Sequence, residues 1–356
     1  MPPARSIAVC AFGRGDARTL GLTTYRALWP LEALAQRPDF GPCRFISQAE
    51  VREAMRTGRY AALTENYDLY VIQRLVAPDT AGAAEFFGRL RANGAKIVFE
   101  TDDDLTDEHR WVGYGEWLEQ TLAHVDAITV STPALARRME RYGKPIYVAV
   151  NRIKTGWFTE VSLQAERLFK EQLVVGLVGT RTHWGDWHRV LDALKRIQRE
   201  YPDVVIAVAG YNPPYFRCLG KQLVEFAGVP FEIYPAIIRQ FDIRLCPLDP
   251  ADPFNAAKSA VAALEAMAGA RPVGKRLGGA IPVVQRGVKH YQRVVAHRHN
   301  GIVVRDEDWY SALAELIEDH ALRRKLSVNG LRWVRRHRDI GNAAEWAAAY
   351  KQILAS

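Results

Sequence analysis

The chain has 356 residues, 48% of them hydrophobic, and carries 48 Lys+Arg against 40 Asp+Glu, a formal net charge of +8. That length is about twice an ordinary domain, so two globular domains with separate cores are expected. The mild basic excess argues against a histone-like polycation and favours an anionic ligand without naming it.

Cys10, Cys43, Cys218 and Cys246 show no CxxC spacing, so neither a zinc site nor a disulfide framework is indicated, and a reducing cytoplasm is expected. The apolar run inside MPPARSIAVCAFGRGD is too short for a signal peptide or a membrane span. No other window reaches membrane length, and no integral membrane association is expected.

Along the chain, short β-branched runs alternate with segments of helical period, the pattern of parallel sheets covered by helices. Predicted strands are Ile7 to Phe12, Leu69 to Gln73, Lys96 to Glu100, Ala127 to Ser131 and Ile146 to Val150. Helices are predicted near Thr23 to Ala35, Thr80 to Asn93, Glu116 to His124 and Pro133 to Tyr142. After a linker from Asn151 to Leu173 the pattern repeats. Strands at Val174 to Val178, Val204 to Ala209, Ile243 to Pro247 and Ile281 to Val284 alternate with helices at Trp187 to Glu200, Ala256 to Met267, Trp309 to Asp319 and Ala321 to His337. This predicts an α/β protein of two doubly wound, Rossmann-like domains facing each other across a cleft.

Such domains bring strand carboxyl ends and helix N-termini to the cleft, where backbone N–H groups hold phosphate. The loop FGRGDARTLGLTTYR is glycine-rich, but its glycines do not form a dinucleotide fingerprint, and no GxxxxGK[ST] occurs. In FNAAKSAVAALEAMAGA, a helix starting near Asn255 or Ala256 carries Lys258 and Ser259 in its first turn, positioned for a diphosphate. Glu265, about two turns on, is then within reach of a ribose, whose two hydroxyls one carboxylate can accept. The competing reading is a solvated Lys and Glu on an exposed face.

The ordered stretch FDIRLCPLDPADPFNAAKSAVAALEAMAGA…GAIPVVQRGVKHYQRVVAHRHNGIVV resembles the donor-binding half of GT-B glycosyltransferases of the family-4 kind. Pro247 and Leu248 match the strand end and Lys258 and Ser259 the "KS" helix. Glu265 matches the ribose-binding Glu, Ile281 to Val284 the "G.PVV" strand, Tyr291 the following loop, and Asn300 to Val304 the "NG.vv" strand. VVGLVGTRTHWGDW is similar to the first strand and phosphate loop of that half. Three departures stand out. Ala257 occupies the place of a second Glu, and Asp186 that of the phosphate-loop Lys. GARPVGKRLGGA is also longer than the usual turn.

The resemblance implies an acceptor-binding domain over 1–160, a donor-binding domain over 161–341, and a terminal helix over 342–356 that crosses back, with Trp346 and Tyr350 as buttresses. It implies transfer from a UDP-, GDP- or dTDP-linked sugar, used as co-substrate, to a hydroxyl, with no resident cofactor and no metal. Gly179, Thr180, Arg181, Pro247, Asn255, Lys258, Ser259 and Glu265 would bind the donor, and Arg181, Lys258 and His183 would act in catalysis. For the acceptor the candidates are Gly21, Tyr25, Arg26, Arg74, Asp102, Asp103 and Asp104, with Trp111 and Tyr114 nearby. A saccharide acceptor is expected ahead of DNA bearing hydroxymethylated pyrimidines, for which Arg14, Arg18, Arg26, Lys289 or Arg293 would bind phosphate. A non-catalytic nucleotide-sugar-binding protein is the third reading. Glu265→Ala is expected to weaken nucleotide binding and leave the fold intact. The basic, amphipathic C-terminal stretch is expected to pack on its own domain with its charges solvated.

Overall fold

The computed structural model describes residues 6–13, 21–59, 63, 66–74 and 80–356. Residues 14–20 of the glycine-rich loop, Arg14 and Arg18 among them, lie outside the described residues. The chain divides into two compact units. One comprises 1–151, 257–259 and 340–356, the other 152–256 and 260–339.

The first unit opens with β1 (Ile7–Gly13), α1 (Gly21–Thr23), one π-helical segment (Thr24–Leu28) and α2 (Trp29–Leu34). It continues through β2 (Phe40–Ser47), α3 (Gln48–Thr57), β3 (Leu69–Gln73), α4 (Thr80–Arg91) and β4 (Lys96–Thr101), then α5 (Tyr114–Ala123), β5 (Ala127–Val130), α6 (Pro133–Met139) and β6 (Ile146–Val148). Strands β3, β4 and β5 are buried almost throughout, as a parallel sheet covered on both faces requires. The order is β2-β1-β3-β4-β5-β6, with every pairing parallel.

The second unit begins within the expected linker, as α7 (Thr155–Gln164), followed by β7 (Val174–Gly179), α8 (Trp184–Glu200), β8 (Val205–Gly210), β9 (Leu223–Phe226) and α9 (Tyr234–Ile238). Next come β10 (Ile243–Cys246), α10 (Pro253–Ala257), α11 (Val261–Ala268) and a hairpin of β11 (Arg271–Val273) with β12 (Arg276–Gly278). The unit ends with β13 (Ile281–Gln285), α12 (Lys289–Gln292), β14 (Ile302–Val304), α13 (Trp309–Glu318) and α14 (His320–His337). Its sheet runs β14-β13-β10-β7-β8-β9, again all parallel, which is the 3-2-1-4-5-6 order of dinucleotide-binding folds. Gly210 closes β8 at φ 97°, where a Cβ would lie 2.4 Å from the Gly179 carbonyl, so the two strand ends require glycine there.

Helix α15 (Ala344–Ala355) returns to the first unit. Trp346 and Tyr350 are buried in it, and Lys351 bridges to Asp39 at 2.6 Å. Each unit has its own apolar core, one including Phe12, Phe99 and Leu118 and the other Trp187, Phe216 and Trp309. Burying side chains of this size contributes about 1.5–3 kcal/mol each. No described helix is long and apolar enough to cross a membrane.

The expected single helix from Ala256 to Met267 is two helices. It breaks over Lys258–Ala260 because distant groups capture the backbone and side chains there. Thr132 Oγ1 donates to the Ala257 carbonyl at 2.7 Å, and Asn151 Nδ2 donates to Ser259 Oγ at 2.7 Å. Lys258 and Ser259 therefore precede α11 instead of forming the first turn of a longer helix, and they belong to the first unit, whereas Glu265 belongs to the second.

Candidate functional site

In the first unit the strand order reverses between β1 and β3, and open α/β sheets bind ligands beyond the carboxyl ends at such a point. The loops after β3 and β4 gather a charged cluster there. Arg74, just past β3, has φ 49°, a left-handed conformation costly for a side-chain-bearing residue. It is held on both sides. Its N–H donates to the Glu100 carbonyl at 2.9 Å, and its carbonyl accepts from the Tyr114 hydroxyl at 3.0 Å. The guanidinium lies 4.8 Å from the centre of the Trp111 ring and faces Asp103 at 3.1 Å and Asp102 at 3.9 Å.

Lys258 approaches the other Asp103 oxygen at 3.5 Å, while Asp104 turns to Arg138 at 2.7 Å. All three carboxylates of the acidic loop thus face cations. Burial and the neighbouring Asp103 charge, opposed by Arg74, push Asp102 up to about 6.

Beneath this cluster the π-helical segment turns Arg26 fully into the interior. Such one-turn bulges insert an extra residue and re-aim its side chain. Arg26 Nε donates to Glu100 Oε1 at 2.8 Å, and Nη1 donates to the Ala149 carbonyl at 2.6 Å and to Asn151 Oδ1 at 2.7 Å. Its guanidinium sits 5.1 Å from the Trp346 ring, and Thr129 donates to the second Glu100 oxygen. Burial lifts Glu100 to about 7 in spite of Arg26 and Thr129.

A carboxyl with a raised folded pKa gives stability that is complete below its ordinary value and is lost as pH rises through the folded one. Thermal stability is therefore expected to fall between about pH 4.5 and about pH 7, and Glu100→Gln, neutral throughout, should flatten most of that fall. An unchanged slope of melting temperature against pH in the variant would refute the assignment.

Of the residues expected to bind acceptor, Arg74, Asp102 and Asp103 come together. Tyr25 instead packs edge-on to Trp29 in the core, Arg26 is interior, Gly21 opens α1 half-exposed, and Asp104 is tied to Arg138. Lys289 and Arg293 are exposed in the second unit.

In the second unit the order reverses between β7 and β10. Gly179 and Thr180 lead into a 3-10 turn (Arg181–His183) and α8, while Pro247 ends the β10 run. A Cβ on Gly179 would lie 2.7 Å from the His183 ring, so glycine permits the tight turn. Asp186, buried in the first turn of α8, ties the two loops. One oxygen accepts from the Asp249 N–H at 2.9 Å and from Asn255 Nδ2 at 2.6 Å, and the other lies 3.4 Å from His183 Nδ1. The expected donor residues around this reversal are thereby brought together. The Asn255 amide oxygen is buried without a hydrogen-bond partner among the described residues, and Arg181 is exposed over the rings of Trp184 and Tyr211.

Glu265 is buried on α11. Its Oε2 accepts from Arg244 Nη1 at 2.7 Å and from the Tyr234 hydroxyl at 2.8 Å, and Arg244 Nη2 also donates to that hydroxyl at 3.2 Å. Burial pushes the Tyr234 hydroxyl well above its ordinary pKa, so it stays a donor. Burial opposes the charge on Arg244, but Tyr234 and Glu265 outweigh it and the guanidinium stays protonated. The sequence reading missed both partners. Arg244 does carry a signal, because a charge inside a buried parallel strand needs a partner. Tyr234 carries none.

Among the described residues no three His, Cys, Asp or Glu side chains are grouped to hold a metal ion. No protein-family model and no curated protein matches the sequence. Solved structures do resemble it. HepE of Anabaena, in complex with UDP-glucose, matches with a TM-score of 0.65 and 13% identity over 97% of this chain and 99% of that one. The α,α-trehalose-6-phosphate synthase of Burkholderia multivorans matches at 0.57 and 14% identity, over 96% and 82%. A Listeria monocytogenes chain described as a UDP-N-acetylglucosamine 2-epimerase matches at 0.55 and 12%, over 98% and 96%. Two parallel six-stranded sheets with these orders, together with likenesses spanning nearly the whole chain, establish that the protein has the GT-B fold.

Proposed function

We propose that the protein is a glycosyltransferase that moves a sugar from a nucleoside-diphosphate sugar to a hydroxyl of a saccharide acceptor. The observation that carries this reading is Glu265, a carboxylate fixed by Arg244 and Tyr234 at the position that the resemblance assigns to ribose recognition. A ribose offers two adjacent donor hydroxyls, and a carboxylate whose orientation is already set accepts them with little ordering cost.

In the transfer, the bond from the sugar C1 to the phosphate oxygen breaks and a bond from C1 to the acceptor oxygen forms. The diphosphate leaves with the electron pair and takes up, directly or through solvent, the proton that the acceptor hydroxyl gives up. Arg181, exposed at the amino end of α8, supplies positive charge for the leaving group. Lys258, which the resemblance makes a diphosphate cation, pairs in the first unit with Asp103 at 3.5 Å. Asp102, Asp103 and Asp104 face Arg74, Lys258 and Arg138, which supports a reaction without a metal, because their negative charge is already balanced.

Calorimetric titration with UDP, GDP and dTDP tests the donor assignment. At least one is expected to bind the wild type, and Glu265→Gln, which keeps an acceptor for Arg244 and Tyr234, should bind it about tenfold more weakly. Binding by none of the three, or equal binding by both proteins, removes the reading. Incubation with nucleotide sugars and saccharides, plain DNA or hydroxymethylpyrimidine DNA then reads the acceptor as a gain of sugar mass. Gain on the modified DNA alone overturns the saccharide assignment, and nucleotide binding without turnover leaves a binding protein.

A further inference from the structure

The β11–β12 hairpin and the basic helix α14 take no part in the function proposed above. Together they border an open groove of about 520 Å³ in the second unit. Its floor is apolar, made by half-buried Leu277 and buried Val328 and Leu331. Its rim is four exposed guanidinium groups, Arg276, Arg332, Arg335 and Arg336.

These cations lack carboxylate partners among the described residues. Arg332 reaches only the Asn329 amide oxygen, at 3.5 Å, and Arg335 only the Thr159 hydroxyl, at 3.1 Å. Neither the hairpin segment Arg271–Gly278 nor α14 contains an Asp or Glu, and Lys275, Arg324 and Lys325 are exposed on the same elements. Several surface arginines elsewhere in the chain pair within their own helix, as Arg56 does with Glu53, Arg89 with Glu85 and Arg196 with Glu200. Here the sequence leaves them unneutralised, and the resulting field favours a multiply charged anion.

We propose that this groove seats the second unit on an anionic phospholipid surface. Guanidinium forks pair with lipid phosphates in bidentate geometry, and their aliphatic stems lie along apolar surface while the heads stay at the phosphate level. A free phosphate would leave the Leu277, Val328 and Leu331 floor unused. Nucleic acid would be expected to stack bases on aromatic faces, and none of the seven lining residues is aromatic. Because no described helix can cross a membrane, the attachment of this unit is peripheral and reversible.

Sedimentation with vesicles tests this on the full chain. The wild type is expected to sediment with phosphatidylcholine vesicles containing phosphatidylglycerol and not with phosphatidylcholine alone, and added salt should release it. Each basic residue near such a surface strengthens binding about fivefold, so Arg332→Glu with Arg336→Glu should weaken it at least about twentyfold without lowering the melting temperature. Lys275→Glu with Arg276→Glu, on the hairpin instead of the helix, should weaken it similarly. No preference of the wild type for phosphatidylglycerol, or full binding by both double variants, overturns the proposal. So does displacement by inorganic phosphate beyond that by chloride at equal ionic strength, or tighter binding of duplex DNA that the same variants abolish.

Discussion

Glu265→Ala is expected to lower the unfolding free energy by about 3–5 kcal/mol, because it leaves the buried Arg244 guanidinium with no carboxylate. Arg244 stands on the central strand β10 with 3% of its side chain exposed, and among the described residues its remaining hydrogen bond would be to the Tyr234 hydroxyl. That hydroxyl is a neutral dipole and cannot balance the charge. The Arg244 pairing thus adds a stability cost to the expectation that this substitution leaves the fold intact; Glu265→Gln also removes the counter-charge but keeps an oxygen that accepts from Arg244 and Tyr234, so it should cost less and is the better probe of ligand binding. Urea unfolding followed by circular dichroism gives the measurement. Replacing both partners, as Arg244→Met with Glu265→Leu, should recover most of the loss, since an apolar pair of similar volume carries no unpaired charge. A single variant within about 1 kcal/mol of wild type would mean that the pair contributes far less than its burial implies.

Arg26→Met is expected to cost as much, about 3–5 kcal/mol, for the same physical reason and with a different dependence on pH. It removes the cation beside Glu100, leaves the Ala149 carbonyl and the Asn151 amide oxygen without that donor, and takes the charge away from the Trp346 ring. Glu100 already sits near pH 7 with Arg26 present, so without it the carboxyl is protonated more readily still. The loss should be largest above pH 7 and shrink towards about pH 5, where a neutral Glu100 needs no partner. Unfolding curves at the two pH values decide this, and a loss that is equal at both would assign it to packing instead of charge.

Much of the fold is legible in the sequence because its central strands carry continuous apolar runs, IAVCAF, LYVI, IVF and VVGLVG among them. The strands the sequence hides are edge strands. β2 contains a glycine, a proline and an arginine in FGPCRFIS, and β9 is only LVEF. Edge positions tolerate such residues because one side of the strand needs no ladder partner.

The break at Lys258 is hidden for another reason. Ala-rich sequence favours a continuous helix, and what interrupts it is a pair of hydrogen bonds from Thr132 and Asn151, more than a hundred residues earlier in the chain. Local propensity cannot register that. For the site, the loops were legible from motif order, whereas the partners that set charge, Arg244 for Glu265 and Glu100 for Arg26, depend on which strands become neighbours.

The three-segment make-up of the first unit sets a constraint on biosynthesis. Residues 152–339 emerge from the ribosome before residues 340–356, so the second unit has all of its own segments available while the first still lacks Trp346 and Tyr350. Domains usually fold in order of synthesis, amino-terminal first. Here the amino-terminal unit can complete its core only after translation of the carboxy-terminal one, and until then Arg26 waits without the aromatic ring that covers it. During that interval the nascent chain presents the surface that α15 will later bury, which makes the unit that starts first the one most exposed to chaperones and proteases.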